Sequence, residues 1–555
     1  MRQQSGILLH VPGAATQIDR IFDSYRFPVN AHLSRTGMSQ PVEHPEQGRF
    51  AGPAFPDQDQ GFTFKHFEID VLEDSNTWAE LLAHVADTQD GWVHLSSLSF
   101  PQFLAGIQYF FLTRFNDEDI TKARERGHRY SRCGSRLSFG SRLMVKGRIA
   151  SGIMPRLVEI RKELSAARAC TDHIFSLFQP ETLYERPIPE RHRVVFYVGH
   201  VEAFDWNQIC RWTLGQPSFH DTFDSLFEAG IDPEVGSQQA DAPSDWPSLE
   251  EIRQYNVRAR ELVDRALENA PETVLRMAIE HRWMHAETTA YLLHHVARGG
   301  KYSPSLSPPP ESPSPDHAMI EIPGGMATLG RRDGFGWDNE FGEHREDVPA
   351  FAISKYKVTN RQYREFVEQG GPVPPFWVKR GERWFLLTLF REIPLPPHWP
   401  VYVSLSHARA YAQWAGLSLP TEAQFHRAAY GTPSGEERAY PWGNRIANGV
   451  HGNFHFRFWD PVPVTANPHG NSAFGVSQLV GNGWEWTSTR FHPFEGFEPY
   501  PTYPGYSARF FDDDHFIVKG GAPTTASCLL RRSFRNWFRQ GYPHAHAGFR
   551  CVQNI

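Results

Sequence analysis

Residues 280–285 read Glu280-His281-Arg282-Trp283-Met284-His285 within a run, 272–296, whose apolar residues recur at helical spacing. Four residues apart on a helix, the His281 and His285 rings share one face about one turn (5.4 Å) apart, which suits two imidazoles gripping one divalent metal. The chain has 27 histidines, so the pair alone fits a solvated helix face equally well, and a third ligand separates the readings. His200, in Tyr197-Val198-Gly199-His200-Val201-Glu202-Ala203-Phe204, stands among residues too apolar for a solvent-facing position. A buried neutral imidazole needs a partner. Three histidines from two helices, with no obvious carboxylate or thiolate beside them, leave coordination positions open and suit Fe(II), Zn(II) or Cu(II).

Working outward, helical patterns span 156–179, 194–214, 248–268 and 272–296, the third opening on Ser248 followed by Glu250 and Glu251. They compose a four-helix bundle over residues 155–300 with one long connection, 215–247. Glu287 turns off the ligand face and reads as structural or as orienting a ligand ring. His294 and His295, two turns beyond the pair, read as surface or linker-facing.

Proline and serine crowd residues 301–317, so that stretch reads as a linker. Beyond it, 318–555 has short apolar runs, frequent Gly and Pro, and helical patterns only at 360–368, 406–415 and 421–429: an irregular α+β domain. Residues 1–154 have no assigned function; 67–72 suggests a strand, 77–88 and 100–115 helices, and 35–60 a loop. The fold class is therefore multidomain α+β.

Composition excludes several functions. Fifty-six Lys and Arg against 63 Asp and Glu give a net charge of −7 over 555 residues, no footprint for nucleic acid or anionic lipid. Cys133, Cys170, Cys210, Cys528 and Cys551 are too scattered for a disulfide framework, and no apolar run reaches the roughly 20 residues of a membrane span. With no basic-then-apolar signal pattern, a cytoplasmic protein with small-molecule partners is expected.

At these residues the chain resembles a known family. Gly199-His200-Val201-Glu202-Ala203-Phe204-Asp205-Trp206 and the histidine pair followed by Ala286-Glu287-Thr288 are similar to the DinB-like bundle of the ergothioneine-pathway sulfoxide synthases, relatives of the ovothiol and selenoneine enzymes. Downstream, Ile322-Pro323-Gly324-Gly325, Gly336-Trp337-Asp338-Asn339-Glu340, Val358-Thr359-Asn360, Leu419-Pro420-Thr421-Glu422, Tyr440-Pro441-Trp442-Gly443 and Gly481-Asn482-Gly483-Trp484-Glu485-Trp486-Thr487 resemble those synthases' formylglycine-generating-enzyme-like (C-type-lectin-like) domain. The resemblance implies a non-haem Fe(II) held by His200, His281 and His285 in an oxidoreductase. That enzyme would use O2 to join a thiol, cysteine or γ-glutamylcysteine, to the imidazole of hercynine or histidine as a sulfoxide. It implies that Tyr503 and Tyr506 are the family's paired tyrosines, the first a proton donor during the oxygen chemistry. It also implies that Asn536 and Trp537 line the betaine pocket, where an aromatic face suits a quaternary ammonium. Arg535 is a candidate partner for a substrate carboxylate, in competition with Arg531, Arg532 and Arg539. Mycobacterial-type synthases carry Gln and Asp where this chain has Met284 and Phe538, so the acceptor, the thiol and even a selenium donor stay open.

Two other readings compete. Formylglycine generation requires a cysteine pair, but Ser533 stands five residues after Cys528. A non-catalytic metal- or ligand-binding module could use the same two domains, because fold does not fix function.

Overall fold

The computed structural model describes residues 7–10, 92–95, 150–228, 241–307, 309–310 and 312–555. The chain forms two units, Met1–Ser141 and Arg142–Ile555. In the first, β1 (Ile7–His10) pairs antiparallel with β2 (Trp92–Leu95), Ile7 opposite Leu95. The expectations for 35–60, 67–72, 77–88 and 100–115 lie outside the described residues.

The second unit opens with helices α1 (Ala150–Ser176), α2 (Val194–Asp205), α3 (Asp221–Leu226), α4 (Leu249–Ala266) and α5 (Glu272–His295). α4 starts at the expected cap: Ser248 Oγ accepts the Glu251 N–H at 3.3 Å, and the Glu251 carboxylate accepts the Ser248 N–H at 2.9 Å. Nearly every residue of α2 is buried, as suits an element apolar all round and wrapped by its neighbours. It packs on α4 and α5, while α1 lies along α5. The expected single helix 194–214 instead widens after Asp205 into a π-helix, Trp206–Thr213. From this stretch Gln208 Nε2 donates to the Thr502 carbonyl at 3.1 Å. α3 lies in the long connection, 215–247, and buries Phe223.

A buried ion network sets the register of α5 on α2. The wholly buried Arg282 donates to both Glu202 oxygens at 2.8 and 2.9 Å and to Asp205 at 2.5 Å. Arg260 of α4 joins at 2.6 Å from Glu202 and ties in Asp172 of α1, also at 2.6 Å. Burial opposes ionisation, yet Arg282 and Arg260 hold the Glu202 carboxyl down to about 2. Four helices thus share one charge cluster, with His200 two residues before Glu202 and His281 one before Arg282.

The C-terminal part is α+β. Its elements are β3 (Met319–Ile322), β4 (Gly325–Leu329), β5 (His344–Val348), β6 (Phe351–Ser354), α6 (Asn360–Glu368), β7 (Trp377–Arg380), β8 (Arg383–Leu387) and β9 (Glu392–Pro394). They continue with α7 (Leu405–Trp414), α8 (Glu422–Tyr430), β10 (Trp484–Arg490), β11 (His515–Lys519), β12 (Asn536–Arg539), β13 (Ala547–Gly548) and β14 (Val552–Asn554). The strands form small sheets, β12-β11-β10-β13, β14-β6-β3, β4-β5 and β7-β8-β9. All three expected helices are present within a residue of their ends. Buried Glu485, from the Trp484-Glu485-Trp486 motif, pairs with Lys357 and Arg550, each at 2.6 Å. The proline- and serine-rich stretch carries no helix or strand among its described residues and lies against the domain, Thr465 Oγ1 donating to the Pro313 carbonyl at 2.8 Å.

α5 docks on this part through polar residues seven apart, a single stripe on a helix. Glu280 accepts from Trp337 Nε1 at 2.9 Å and pairs with Arg531 at 2.6 Å. Glu287 accepts from Trp484 Nε1 at 2.6 Å and Thr525 Oγ1 at 2.7 Å. His294 meets His546 at 3.1 Å, and beside it His295 meets His544 at 3.0 Å. The surface reading of His294 and His295 is thereby corrected: both face the C-terminal part.

Arg282→Ala leaves Asp205 without its guanidinium partner in the core, so it should lower stability by about 3–5 kcal/mol. Urea unfolding followed by tryptophan fluorescence measures this; a change below about 1 kcal/mol would mean the network does not organise the helices.

Candidate metal centre and cavity

α2 supplies His200, and α5 supplies His281 and His285 one turn apart; all three rings are buried. The Nε2 atoms of His200 and His285 are 3.2 Å apart, and those of His285 and His281 are 3.1 Å apart. All three ligand atoms lie within 4.8 Å of one another. Aromatic neighbours fix the rings: His281 stacks on Phe204 at 3.4 Å between centroids and His200 on Phe196 at 4.7 Å. His200 Nδ1 lies 2.6 Å from the Phe227 carbonyl. A carbonyl only accepts, so this nitrogen carries the proton and Nε2 presents its lone pair.

Burial pushes the His200 imidazole down to about 4, and burial together with neighbouring histidine or arginine charge holds His281 and His285 well below the ordinary range. The rings are therefore neutral at neutral pH. Converging neutral nitrogens repel unless something positive sits among them. Metal–nitrogen bonds of about 2.1 Å at right angles put ligand atoms about 3.0 Å apart, close to the observed spacing. The donor set fits a metal, and no Cys, Asp or Glu among the described residues joins the three. Positions facing the adjoining cavity stay available to other ligands.

That cavity, of about 140 Å³, is lined by His281 and His285 and by the sequence-derived candidates Met284, Tyr506, Asn536, Trp537 and Phe538. Tyr506 is buried, stacks on Trp337 at 4.1 Å and directs its hydroxyl to Met284 Sδ at 3.5 Å. Tyr503 lies beside the histidines rather than in the wall, its ring edge-on to His281 at 6.1 Å and to Phe204 at 5.2 Å. Trp537 stacks on Phe491 at 4.1 Å, which covers one of its faces. The Asn536 side chain accepts the Trp537 N–H at 2.9 Å.

Arg535 is elsewhere. Its buried guanidinium sits 3.3 Å from the Glu422 carboxylate and over the Phe494 ring at 3.9 Å, which answers its charge inside the domain. The arginines in the wall are Arg191 and Arg539. Arg191 packs between the Tyr291 and Tyr542 rings, 5.6 Å from each centroid, and its Nε donates to the Tyr542 hydroxyl at 3.2 Å. Sequence reasoning missed Arg191, Tyr291 and the wall position of Glu287. Tyr291 was findable, since it falls seven residues after Met284 on the same helix face. Burial pushes the Glu287 carboxyl up to about 7, against the pull of its bonds to Trp484 and Thr525. The described cysteines, Cys170, Cys210, Cys528 and Cys551, are free thiols, and no described helix is long and apolar enough to cross a membrane.

Residues 305–555 match the family described as sulfatase-modifying factor enzyme 1-like domain. Over 323 residues the chain is 33% identical to the hercynine oxygenase of Mycolicibacterium thermoresistibile, covering 53% of this chain and 71% of that protein. Over 536 residues it is 26% identical to ergothioneine biosynthesis protein 1 of Neurospora crassa, covering 75% of this chain and 61% of that relative's length. A shorter match, 29% identical over 254 residues, relates 37% of this chain to 65% of the formylglycine-generating enzyme of Bos taurus.

The depressed imidazoles set a pH dependence. An unfolded histidine titrates near 6.5 and folded His200 at about 4, so between those values the unfolded chain holds more protons. Stability of the metal-stripped protein is whole above pH 6.5 and falls as pH drops toward 4, by up to about 1.4 kcal/mol per pH unit per histidine. Denaturant midpoints across that range should show a shallower slope in His200→Phe; an unchanged slope would contradict the burial argument.

Proposed function

This chain belongs to the hercynine oxygenase family, and from that premise we propose that it is a non-haem iron(II), O2-dependent sulfoxide synthase. It would join a thiol, cysteine or γ-glutamylcysteine, to the imidazole of hercynine or histidine. The observation that carries the reading is the convergence of three neutral imidazoles, two of which, His281 and His285, line one aromatic cavity. We read residues 155–300 as a DinB-like bundle, 301–317 as a linker and 318–555 as a formylglycine-generating-enzyme-like domain. The four packed helices and the family match over 305–555 support that division.

His200, His281 and His285 would hold the metal through Nε2. Bound there, iron(II) would supply the redox chemistry with O2 that couples sulfur to an imidazole carbon. The overall reaction balances: the S–H and C–H hydrogens leave with one oxygen atom as water, and the other oxygen becomes the sulfoxide. Neutral ligands leave the 2+ charge uncancelled, which attracts a thiolate. The buried aromatic wall excludes water from the reacting groups. Tyr503, beside His281, is positioned to pass its phenolic proton toward the metal side. Asn536 and Trp537 would bind the acceptor. Met284 and Phe538 give that wall an apolar patch, which favours methyl groups or a polarisable sulfur over a charged contact.

Anaerobic Fe(II) reconstitution followed by O2-uptake and mass-spectrometric assays tests the reading. Uptake should require an imidazole acceptor and a thiol together; uptake indifferent to the acceptor would overturn it. His281→Ala and His285→Ala should lose iron and turnover. Tyr503→Phe should keep iron but divert product to oxidised thiol, and undiminished sulfoxide formation would remove that role.

A further inference from the structure

Tyrosine and tryptophan are, with methionine and cysteine, the side chains that give up one electron most readily. Four such rings form a line leading away from the histidine cluster. Tyr503 lies edge-on to His281 at 6.1 Å between ring centroids, and Tyr506 follows at 5.8 Å. Trp337 stacks on Tyr506 at 4.1 Å, and Tyr500 meets Trp337 at 6.2 Å. Rings at these separations are in or near contact. Tunnelling weakens exponentially with distance, so an electron crosses these short gaps in turn far faster than it crosses the whole span at once. Trp337 is wholly buried and Tyr506 nearly so, whereas Tyr500 is half-buried, and the line thus runs through the core toward the surface. A side branch from Tyr506 to Trp537, 5.4 Å away, continues among the described residues into Phe491 and Phe510, whose rings resist oxidation.

Trp337 is where a missing electron would come to rest. Phenol oxidation requires loss of the proton, and the Tyr506 hydroxyl donates to Met284 Sδ at 3.5 Å, a thioether too weakly basic to take it. An indole gives up an electron without that requirement. Trp337 Nε1 donates to the Glu280 carboxylate at 2.9 Å and its backbone N–H to Glu340 at 2.8 Å, and the two acids share one guanidinium, that of Arg531. An anionic acceptor on the indole N–H favours positive charge on the ring.

We propose that Tyr503, Tyr506, Trp337 and Tyr500 form an electron conduit that protects the cavity. When O2 reacts at the histidine cluster with no acceptor in place, Trp337 supplies the missing electron through the two tyrosines before His281 or Met284 is oxidised. This goes beyond the sulfoxide-synthase reading and needs from it only an iron that meets O2 at those histidines. Each passage carries one electron inward. Tyr500 then reduces Trp337 and releases its phenolic proton to water, and a thiol from solution restores Tyr500 by giving a hydrogen atom. Two thiyl radicals pair as a disulfide. Four passages and four protons turn one O2 into two waters, so one O2 and four thiols give two waters and two disulfides, with the side chains unchanged.

The test mixes the anaerobic Fe(II)-loaded full chain, free of thiol and acceptor, with one equivalent of hydrogen peroxide and freezes it at once. Peroxide takes two electrons, one from iron and one from the protein, which leaves one organic radical for electron paramagnetic resonance to read. Wild type carrying ring-deuterated tryptophan should give a narrowed signal, as a tryptophan radical requires. Trp337→Phe should lose that signal, and peptide mass spectrometry should find several-fold more oxidised Met284 and histidine in it. A tryptophan signal that survives Trp337→Phe, or a wild-type radical indifferent to the label, overturns the proposal. Should Trp337→Phe not fold, as judged by circular dichroism, Tyr500→Phe decides: added thiol should quench its radical several-fold more slowly than in the wild type, and equal quenching overturns the proposal. Sulfoxide formation on the same preparations, with thiol and acceptor present, is a separate readout. Its absence beside an intact Trp337 radical counts against the sulfoxide-synthase reading and still supports the conduit.

Discussion

The contact on which the site depends is the pairing of Arg282 with Glu202 and Asp205. A planar guanidinium gripping one carboxylate by two bonds, at 2.8 and 2.9 Å, permits one register between α2 and α5. Sliding either helix by a turn, about 5.4 Å, would break those bonds and leave charges buried without partners. Because His200 and His281 adjoin the paired residues, the same constraint aims their rings at each other. Aromatic stacking on Phe196 and Phe204 then fixes the rings' rotation. The histidine cluster is thus assembled by an ion network that lies beside the three rings and not among them.

A second constraint joins this centre to its cavity. Glu280, Glu287 and His294 form a stripe along α5, and each bonds a different segment of the C-terminal part: Trp337 and Arg531, then Trp484 and Thr525, then His546. Docking along some 21 Å of helix, by the rise of about 1.5 Å per residue, holds the aromatic wall over the open side of the histidines. The site therefore belongs to neither part alone, and the α+β region owes its role to small sheets and long loops that bring Tyr506, Trp484 and Trp537 to one place.

How much of this was legible in the sequence follows from range. The helices of the bundle, the Ser248 cap and the histidine pair are local patterns, and periodicity exposes them. His200 was legible because an imidazole in an apolar helix demands a partner. The stripe was not: Glu287 reads as structural or as orienting a ligand ring, and His294 and His295 as surface or linker-facing, until a second domain covers that face. Arg535 was misjudged for a related reason. Four arginines crowd residues 531–539, and which of them meets Glu422 rather than the cavity is decided by strand direction in the folded sheet. The π-helical turn after Asp205 was not legible either; from it Gln208 donates to the Thr502 carbonyl, a contact between distant parts of the chain.

On the proposed function, three imidazoles and no other protein group hold one iron. X-ray absorption at the iron edge of the anaerobically loaded protein tests it most directly. Three imidazole nitrogens at about 2.1 Å are expected, with oxygen atoms of water completing the shell. A shell with two or fewer imidazoles, or with a carboxylate or thiolate from the protein, would contradict it.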